Sequence, residues 1–245
     1  MSHNITLKEG ALIVADAHYS HQRPELLAFL KEIYTQNITA TQLFLMGDIF
    51  DALFGEVPYT HVQNQEAIEL INKIAQRIEV FYFEGNHDFN LASIFPNIKI
   101  FPIEQQPVEC RYEDKKILLA HGDIEGDLGY KVYAKVIRNS IVLHLLSFFD
   151  TLFGHVILKR LDAYLSKKDD CREFVGLKQF MQKRLGAKYS CDYFVEGHFH
   201  QNKTIEIDDF IYINLGAFAC NQRYFIVKSS QNRELLEEKN FSQGI

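Results

Sequence analysis

The sequence predicts an α/β fold, and three observations support that prediction. Short apolar runs alternate with stretches of helical period through the first half of the chain. Five of the apolar runs end in a cluster that contains Asp, Asn or His. A longer apolar stripe with helical spacing interrupts this pattern in the second half. We therefore expect one domain over residues 1–245, with a helical insertion at about residues 128–168.

Apolar runs of four or five residues predict buried strands. They lie at residues 11–15, 42–46, 80–83, 117–120 and 193–196. Apolar residues at helical spacing predict helices at residues 24–34 and 62–78, and Pro24 suits the first turn of the former. Short strands in a meander are expected over residues 203–227, and the polar segment after Ser229 is expected to be peripheral.

The overall charge argues against a general nucleic-acid binder. Lys and Arg number 26 against 32 Asp and Glu, so the formal net charge is −6, whereas such binders usually carry basic patches. None of the four cysteines forms a C-x-x-C pair, so a thiolate zinc site is not expected. Residues 1–10 lack the apolar run of a secretory signal. We therefore expect a cytoplasmic protein with reduced thiols.

Each predicted strand ends in residues that can bind metal ions. The clusters are Asp16-Ala-His18, Gly47-Asp48-Ile-Phe-Asp51, Gly85-Asn86-His87-Asp88, His121-Gly122-Asp123 and Gly197-His198-Phe-His200. Ligands of α/β sheets bind at the carboxyl ends of strands, so five such ends can converge on one site. Carboxylate, imidazole and amide ligands without thiolate suit Mn²⁺, Mg²⁺, Zn²⁺ or iron.

These clusters resemble the pattern of the calcineurin-like metallophosphoesterase superfamily, which is D-x-H, G-D-x-x-D, G-N-H-D, H and G-H-x-H. All five blocks occur in that order between Asp16 and His200. The resemblance implies a four-layer αββα sandwich and two divalent metal ions, with Mn²⁺ as the first candidate. It assigns one ion to Asp16, His18, Asp48 and His200. It assigns the other to Asp48, Asn86, His121 and His198, so that Asp48 bridges both.

Such a pair of ions implies a specific chemistry. Two cations about 3.5–4 Å apart lower the pKa of a water between them and draw charge from a phosphoryl group. The resemblance implies that His87 faces the substrate as a catalytic group, and that Asp88 hydrogen-bonds His87 and fixes its tautomer. The alternative for Asp51 and Asp88 is that they only accept hydrogen bonds from loop amides, and for Asp51 we prefer it.

The insertion carries more apolar surface than a helix packed on one sheet face needs. Its stripe recurs at every fourth residue from Tyr133 to Leu161, and Asp150 interrupts it. A central Asp is costly inside a bilayer, so a spanning helix is not expected. Seven Lys or Arg and two Asp over residues 131–168 make the insertion locally basic, which is typical of a membrane-surface contact. The alternative is that its helices only pack on their own domain.

Residues 121–130 resemble those of UDP-2,3-diacylglucosamine hydrolases, in which H-G-D continues through a D-x-x-Y step into a helical lid. Asp127 and Tyr130 match that step, and residues 86–89 and 214–218 also fit. This family hydrolyses the pyrophosphate of UDP-2,3-diacylglucosamine to UMP and lipid X in lipid A biosynthesis, and its lid shelters acyl chains. The best-known branch carries Arg after the Asn, where this chain has His87.

The predicted substrate contacts are Asp127, Tyr130, Arg160, Lys167 and Lys168, of which the three cations could meet a diphosphate or lipid head groups. The predicted location is the cytoplasmic face of the inner membrane, reached through the insertion. One alternative is a soluble metallophosphoesterase for nucleotides or phosphoproteins, whose insertion would leave no apolar tunnel beside the metals. Another is a metal-bearing scaffold without activity, against which the complete set of ligands and His87 argue.

Overall fold

The computed structural model describes residues 5–123, 128–228 and 234–243. The strands are β1 (Ile5–Thr6), β2 (Leu12–Val14), β3 (Gln42–Leu45), β4 (Leu53–Phe54), β5 (Glu79–Phe83), β6 (Asp88–Phe89), β7 (Lys99–Phe101), β8 (Val108–Tyr112), β9 (Lys115–Ala120), β10 (Tyr193–Glu196), β11 (Lys203–Ile207), β12 (Phe210–Asn214), β13 (Arg223–Val227) and β14 (Leu236–Asn240). The α-helices are α1 (Glu25–Tyr34), α2 (Pro58–Gln63), α3 (Gln65–Ala75), α4 (Leu128–Ile137), α5 (Ser140–Leu152), α6 (Val156–Leu165), α7 (Leu177–Leu185) and α8 (Phe218–Asn221).

Among the described residues, these strands form two six-stranded sheets and a short two-stranded ladder. The first sheet has the order β14-β13-β2-β3-β5-β7, in which β2, β3, β5 and β7 run parallel. The second sheet has the order β1-β8-β9-β10-β12-β11, in which β9, β10 and β12 run parallel. Because parallel neighbours end at the same edge, each sheet brings several strand ends together.

The two sheets face each other, and helices cover their outer faces. In β3, Leu43 packs with residues of α1 and α3, while Phe44 points to the second sheet. In β9, Leu119 points to the first sheet and Leu118 packs with Met181 of α7. Strands covered on both faces are apolar throughout, which explains the unbroken apolar runs of the sequence. The order helix, sheet, sheet, helix confirms the predicted αββα sandwich.

The five predicted strands are all present, but three other expectations needed correction. The predicted helix at residues 62–78 is two helices that meet at Asn64, whose side chain donates to the carbonyl oxygens of Ala52 and Thr60. The predicted meander does not continue to residue 227, because β13 pairs with β2 of the first sheet. The polar C-terminal segment is not peripheral throughout, since β14 pairs with β13 as an edge strand.

The insertion consists of three helices instead of one or two. Asn139 begins α5, and its side-chain oxygen accepts from the amides of Ile141 and Val142. Near the end of α5, the buried carboxylate of Asp150 accepts from the amide of Ile157 in α6, at 2.7 Å. Among the described helices, none alone is long and apolar enough to cross a bilayer. Helices α5 and α6 meet that test only as a pair, and they are bent by 101°.

A disulfide joins Cys171, which follows α6, to Cys220 in α8. The expectation of reduced thiols did not foresee this pair, because the fold brings together two cysteines that are 49 residues apart. The first amide of α8, that of Phe218, donates to the carbonyl oxygen of Ala15. The disulfide thus ties the segment after the insertion to the end of β2. The other two cysteines, Cys110 and Cys191, are free thiols.

Candidate metal centre

The predicted metal ligands lie at the carboxyl ends of strands from both sheets. Asp16 and Asp48 follow β2 and β3, and Asn86 follows β5, all in the first sheet. His121 and His198 follow β9 and β10 in the second sheet. The site therefore lies on the seam between the two sheets, where the strand ends converge as the sequence predicts.

The ligand atoms gather into three overlapping groups, each with all atoms within 4.8 Å of one another. One group contains Asp16, His18 and His200, and a second contains Asp48, His121 and His198. A third group, of His18, Asp48 and His87, shares a member with each of the other two. Nε2 of His200 lies 3.2 Å from a carboxylate oxygen of Asp16, and Nε2 of His121 lies 3.5 Å from one of Asp48. The first two groups contain six of the seven predicted ligands, all but Asn86, and the assignment of ligands to two ions stays a prediction.

Backbone carbonyl groups orient two of the ligand histidine rings. Nδ1 of His121 contacts the carbonyl oxygen of Met46 at 2.9 Å, and Nδ1 of His200 contacts that of Asp170. A carbonyl oxygen can only accept, so Nδ1 carries the hydrogen in both rings. Nε2 is then left as the lone-pair donor, which is the usual way in which a second contact prepares a histidine for a metal.

Burial and neighbouring charges together shift the pKa values of the ionisable groups in the site. Burial opposes the charge on Asp48, but His121 and His87 outweigh it and hold the pKa of Asp48 well below its usual value. Burial likewise opposes the charge on His121, and the carboxylate of Asp48 raises its pKa well above the usual value. Burial and the nearby His121 lower the pKa of His198 to about 4. His198 is therefore a neutral imidazole near pH 7, the form that binds metal.

Five of the predicted ligands adopt left-handed backbone conformations, with φ between 47° and 62°. They are Asp16, His18, Asp48, His198 and His200. Each such residue costs on the order of 1–2 kcal/mol relative to ordinary backbone, and such outliers are typical of functional sites. Gly47 also has a positive φ of 82°, and a Cβ there would lie 2.4 Å from Nδ1 of His121. Only glycine fits at that position.

Several buried polar atoms of the site have no hydrogen-bond partner among the described residues. They are Nε2 of His18, Oδ1 of Asn86 and Nε2 of His121. Buried polar atoms without a partner are rare in native proteins and call for a ligand. Each of these atoms is one that the predicted coordination would use, so the residues fit a pair of divalent ions.

The structure corrects the predicted role of Asp88. Its carboxylate accepts from the amides of Asp48, Ile49, Phe50 and Gly85 and from the hydroxyl of Tyr82. The prediction that Asp88 fixes the tautomer of His87 is wrong, because loop amides take up both of its oxygens. Burial, together with the charge of Asp48, raises the pKa of Asp88 to about 7. Asp88 thus orders the two loops that carry the predicted ligands Asp48 and Asn86.

Asp51 orients His87 instead. Nδ1 of His87 contacts the backbone carbonyl oxygen of Asp51 at 2.8 Å, which leaves Nε2 of His87 as the nitrogen with the lone pair. The side chain of Asp51 lies 3.3 Å from Nδ1 of His18. The preferred expectation that Asp51 only caps a loop is therefore wrong, since it contacts two histidines of the site.

Residues 11–202, which include every predicted ligand, match the profile of the calcineurin-like phosphoesterase family. The chain is a calcineurin-like phosphoesterase. Members of this family use divalent metals, and the groups of ligand atoms described above are candidate metal sites. The phosphoesterase is thus a metal-dependent hydrolase.

Its similar proteins include UDP-2,3-diacylglucosamine hydrolases. That of Pseudomonas fluorescens (strain SBW25) is 24% identical over 195 residues, which cover 78% of each chain. That of Blochmanniella pennsylvanica is 27% identical over 203 residues, again 78% of each chain. Among solved structures, the phosphoesterase Yfce of E. coli is 13% identical, with 94% of this chain and 98% of that chain covered and a TM-score of 0.47.

A cavity of 640 Å³ joins the metal centre of the phosphoesterase to the insertion. Asn86, His87 and His198 line its metal end. The remaining lining is mostly apolar and includes Phe54, Val57, Phe89, Leu143, Leu158 and Leu161. The insertion therefore roofs an apolar space that opens on the metal centre, and we call residues 128–165, which contain α4, α5 and α6, the lid.

The predicted substrate contacts have different outcomes. Asp127 lies outside the described residues, as does the side chain of Tyr130. Arg160, Lys167 and Lys168 are exposed and do not line the described cavity. Nζ of Lys168 lies 3.4 Å from Asp170, the residue whose carbonyl oxygen contacts His200. Their roles in binding stay predictions.

Arg138 was missed by reasoning from the sequence. Its side chain is 9% exposed, and it donates to the carbonyl oxygen of Gly85 at 2.8 Å and to the carboxylate of Asp123 at 3.1 Å. In the sequence, Arg138 is one of seven Lys and Arg residues of the insertion, and no local pattern distinguishes it from the other six. Its contact with a loop 53 residues away is not visible in any local pattern.

Proposed function

We propose that this phosphoesterase hydrolyses the pyrophosphate bond of UDP-2,3-diacylglucosamine to UMP and lipid X, with a dinuclear centre that takes Mn²⁺. The cavity beneath the lid is the observation that carries this proposal. Its volume of 640 Å³ falls in the range of about 300–1,000 Å³ that is usual for small-molecule sites. An acylated sugar phosphate needs an apolar space beside the phosphate site, and the related hydrolases act on such a substrate.

The chemistry follows from the arrangement of the ligands. Two divalent ions held by Asp16, His18, Asp48 and His200 and by Asp48, Asn86, His121 and His198 would supply a nucleophilic hydroxide near neutral pH and withdraw charge from the phosphoryl oxygens. His87 lines the cavity at its metal end, and Nε2 is its free nitrogen. We assign His87 to protonate or stabilise the departing phosphate oxygen.

The lid also suits contact with a membrane surface. Four of its apolar side chains, Ile141, Phe148, Leu152 and Phe153, are each at least 64% exposed. Exposed apolar clusters on monomeric proteins usually mark an interaction surface, and the local excess of Lys and Arg favours anionic lipid. We therefore propose peripheral binding to the cytoplasmic face of the inner membrane.

The disulfide bears on that location. Disulfides are rare in the cytoplasm, where thiols are kept reduced. A cytoplasmic protein should therefore carry Cys171 and Cys220 as thiols in the cell. Trapping of thiols with iodoacetamide before lysis measures this, and a pair that is already oxidised in the cell would contradict the cytoplasmic location.

A soluble phosphoesterase for nucleotides or phosphoproteins is the rival function. It predicts no apolar tunnel beside the metals, and the cavity beneath the lid counts against it. The deciding experiment supplies Mn²⁺ and compares UDP-2,3-diacylglucosamine with a dinucleoside polyphosphate. We expect UMP release from the former and little from the latter. A preference for the dinucleoside polyphosphate would refute the proposed substrate and leave the hydrolytic chemistry in place.

A further inference from the structure

Arg138 occupies a distinctive place at the end of the lid. It follows α4 directly, and its guanidinium reaches the two loops that carry Asn86 and His121. The contacts are the carbonyl oxygen of Gly85 and the carboxylate of Asp123. The guanidinium therefore lies beside the ligand set of one predicted ion, at the junction of the metal centre and the apolar cavity.

Arg138 is also the one Lys or Arg among the described residues that line the cavity. The acidic lining residues already have contacts of their own. Asp150 accepts from the amide of Ile157, and Asp51 lies 3.3 Å from His18. Asp123 pairs with Arg138 itself. Apart from the predicted metal ions and the lining histidines, a negatively charged ligand in this cavity thus meets one basic side chain among the described residues, that of Arg138.

One N–H group of the Arg138 guanidinium has no acceptor among the described residues. Nε of Arg138 is buried and has no hydrogen-bond partner among the described residues. An unpaired buried donor is unfavourable unless a ligand supplies the acceptor. The planar fork of arginine matches a phosphate group, to which it can donate two parallel hydrogen bonds.

We propose that Arg138 binds the phosphate of the acyl-bearing half of the substrate, the group that leaves when the pyrophosphate bond breaks. This inference rests on the proposed function, because it assumes two adjacent phosphates with an apolar arm on one of them. The attacked phosphate lies at the metal centre, and the leaving phosphate then lies toward the cavity, beside Arg138. Negative charge grows on the leaving phosphate as the bond breaks, and a fixed guanidinium stabilises that charge.

The alternative is that Arg138 is a latch that only holds the lid on the Gly85 loop. A latch would affect every substrate equally, whereas a contact to the leaving phosphate affects only substrates that have one. Bis(p-nitrophenyl) phosphate lacks a second phosphate and an acyl chain, so it serves as the comparison substrate. Arg138→Lys keeps the charge and loses the fork, and Arg138→Ala removes both. Lys135→Ala is the matched control, because Lys135 is an exposed cation of α4, the helix that Arg138 follows.

The test measures kcat/KM for both substrates with the full chain and Mn²⁺, and compares their ratio between variants. We expect Arg138→Ala to lower the ratio of UDP-2,3-diacylglucosamine to bis(p-nitrophenyl) phosphate by about 100-fold and Arg138→Lys by at least about tenfold. Lys135→Ala should leave the ratio as it is. An equal loss on both substrates would show a latch and overturn the inference, as would no loss on either.

A second measurement does not depend on the natural substrate. Dodecyl phosphate carries a phosphate and an apolar chain, and it should inhibit hydrolysis of bis(p-nitrophenyl) phosphate by the wild-type protein. We expect its inhibition constant to rise by about tenfold or more in Arg138→Ala and Arg138→Lys. If UDP-2,3-diacylglucosamine is not cleaved at all, the proposed function fails, and this constant alone decides the inference. An unchanged constant, or no inhibition of the wild type, would overturn it.

Discussion

The metal centre and the lid line the same cavity, yet different forces hold their side chains. At the metal centre, several polar groups are placed by a backbone contact or by an oppositely charged neighbour, as His121 is by Met46 and Asp48. In the lid, packing is sparse, and Phe148 and Phe153 are mostly exposed. On the proposed function, the metal centre carries the reaction and the lid selects what enters. Changes in the first should therefore affect all substrates, and changes in the second only acylated ones.

The largest effect is expected at Asp48, which belongs to both predicted ion sites. Asp48→Asn removes the negative charge that two cations would share, so we expect a loss of activity on the order of 10³-fold on any substrate. Bound metal, measured by mass spectrometry, should fall as well. Asp114→Asn makes the same change on the surface and serves as control, since Asp114 is 80% exposed. Full metal content in Asp48→Asn would contradict the bridging role.

A substitution of His87 tests whether proton transfer can be lost at the metal centre while metal binding is kept. His87→Ala should lower kcat by about 10²–10⁴-fold, the usual contribution of a general acid. The metal content should stay at the wild-type value, because His87 lies outside both predicted ligand sets. His144→Ala is the control, as His144 is an exposed histidine of the lid. Unchanged turnover in His87→Ala would rule out the catalytic role.

A change in the cavity tests whether the lid acts on substrate choice alone. Ala134 of α4 lines the cavity, and Ala134→Phe should fill part of it. We expect kcat/KM for UDP-2,3-diacylglucosamine to fall by about 10- to 100-fold, with a much smaller change for bis(p-nitrophenyl) phosphate. Val136→Phe adds a ring at a position that is 52% exposed and should affect neither. If Ala134→Phe lowered kcat/KM equally for both substrates, the lid would affect the reaction itself and not only the choice of substrate.

The exposed face of the lid should contribute to membrane binding. Phe148→Ser with Phe153→Ser removes two exposed rings, and we expect binding to vesicles of phosphatidylglycerol and phosphatidylethanolamine to weaken by about tenfold or more. Val175→Ser removes an apolar group that is 86% exposed outside the lid, so it should leave binding unchanged. Cosedimentation measures both. Equal binding by the Phe variant and the wild type would reject the membrane face.

The smallest effect concerns the backbone of the metal centre. His200 has a φ of 59°, so His200→Gly should relieve strain that His200→Ala retains. Although glycine usually destabilises a protein relative to alanine, here we expect the Gly variant to be more stable by about 1 kcal/mol. Urea unfolding of both metal-free variants measures the difference. A more stable Ala variant would show that the left-handed conformation is lost with the side chain.

The sequence predicted the sandwich and the ligands because both depend on local patterns. Strands buried on both faces leave apolar runs, and the residues after them must lie at the sheet edge. The rest depends on contacts between distant segments. Arg138 meets Gly85 only after the lid folds over its loop. Asp88 could not be distinguished from a partner of His87 until the loop amides around it were placed. Strand β14 has a polar, edge-strand sequence with no apolar run to predict it.

Both sheets of the phosphoesterase supply metal ligands to the seam between them, so neither half of the chain alone holds the complete predicted metal centre. A fragment that ended after β7 would carry Asp16, His18, Asp48 and Asn86 but would lack His121, His198 and His200. Each part therefore holds an incomplete coordination shell, and the cut also separates β13 and β14 from the first sheet and β1 from the second. Mixed as separate pieces, the two parts would recover hydrolysis only when both sheets are rebuilt and dock, so activity itself would report correct assembly of the sandwich.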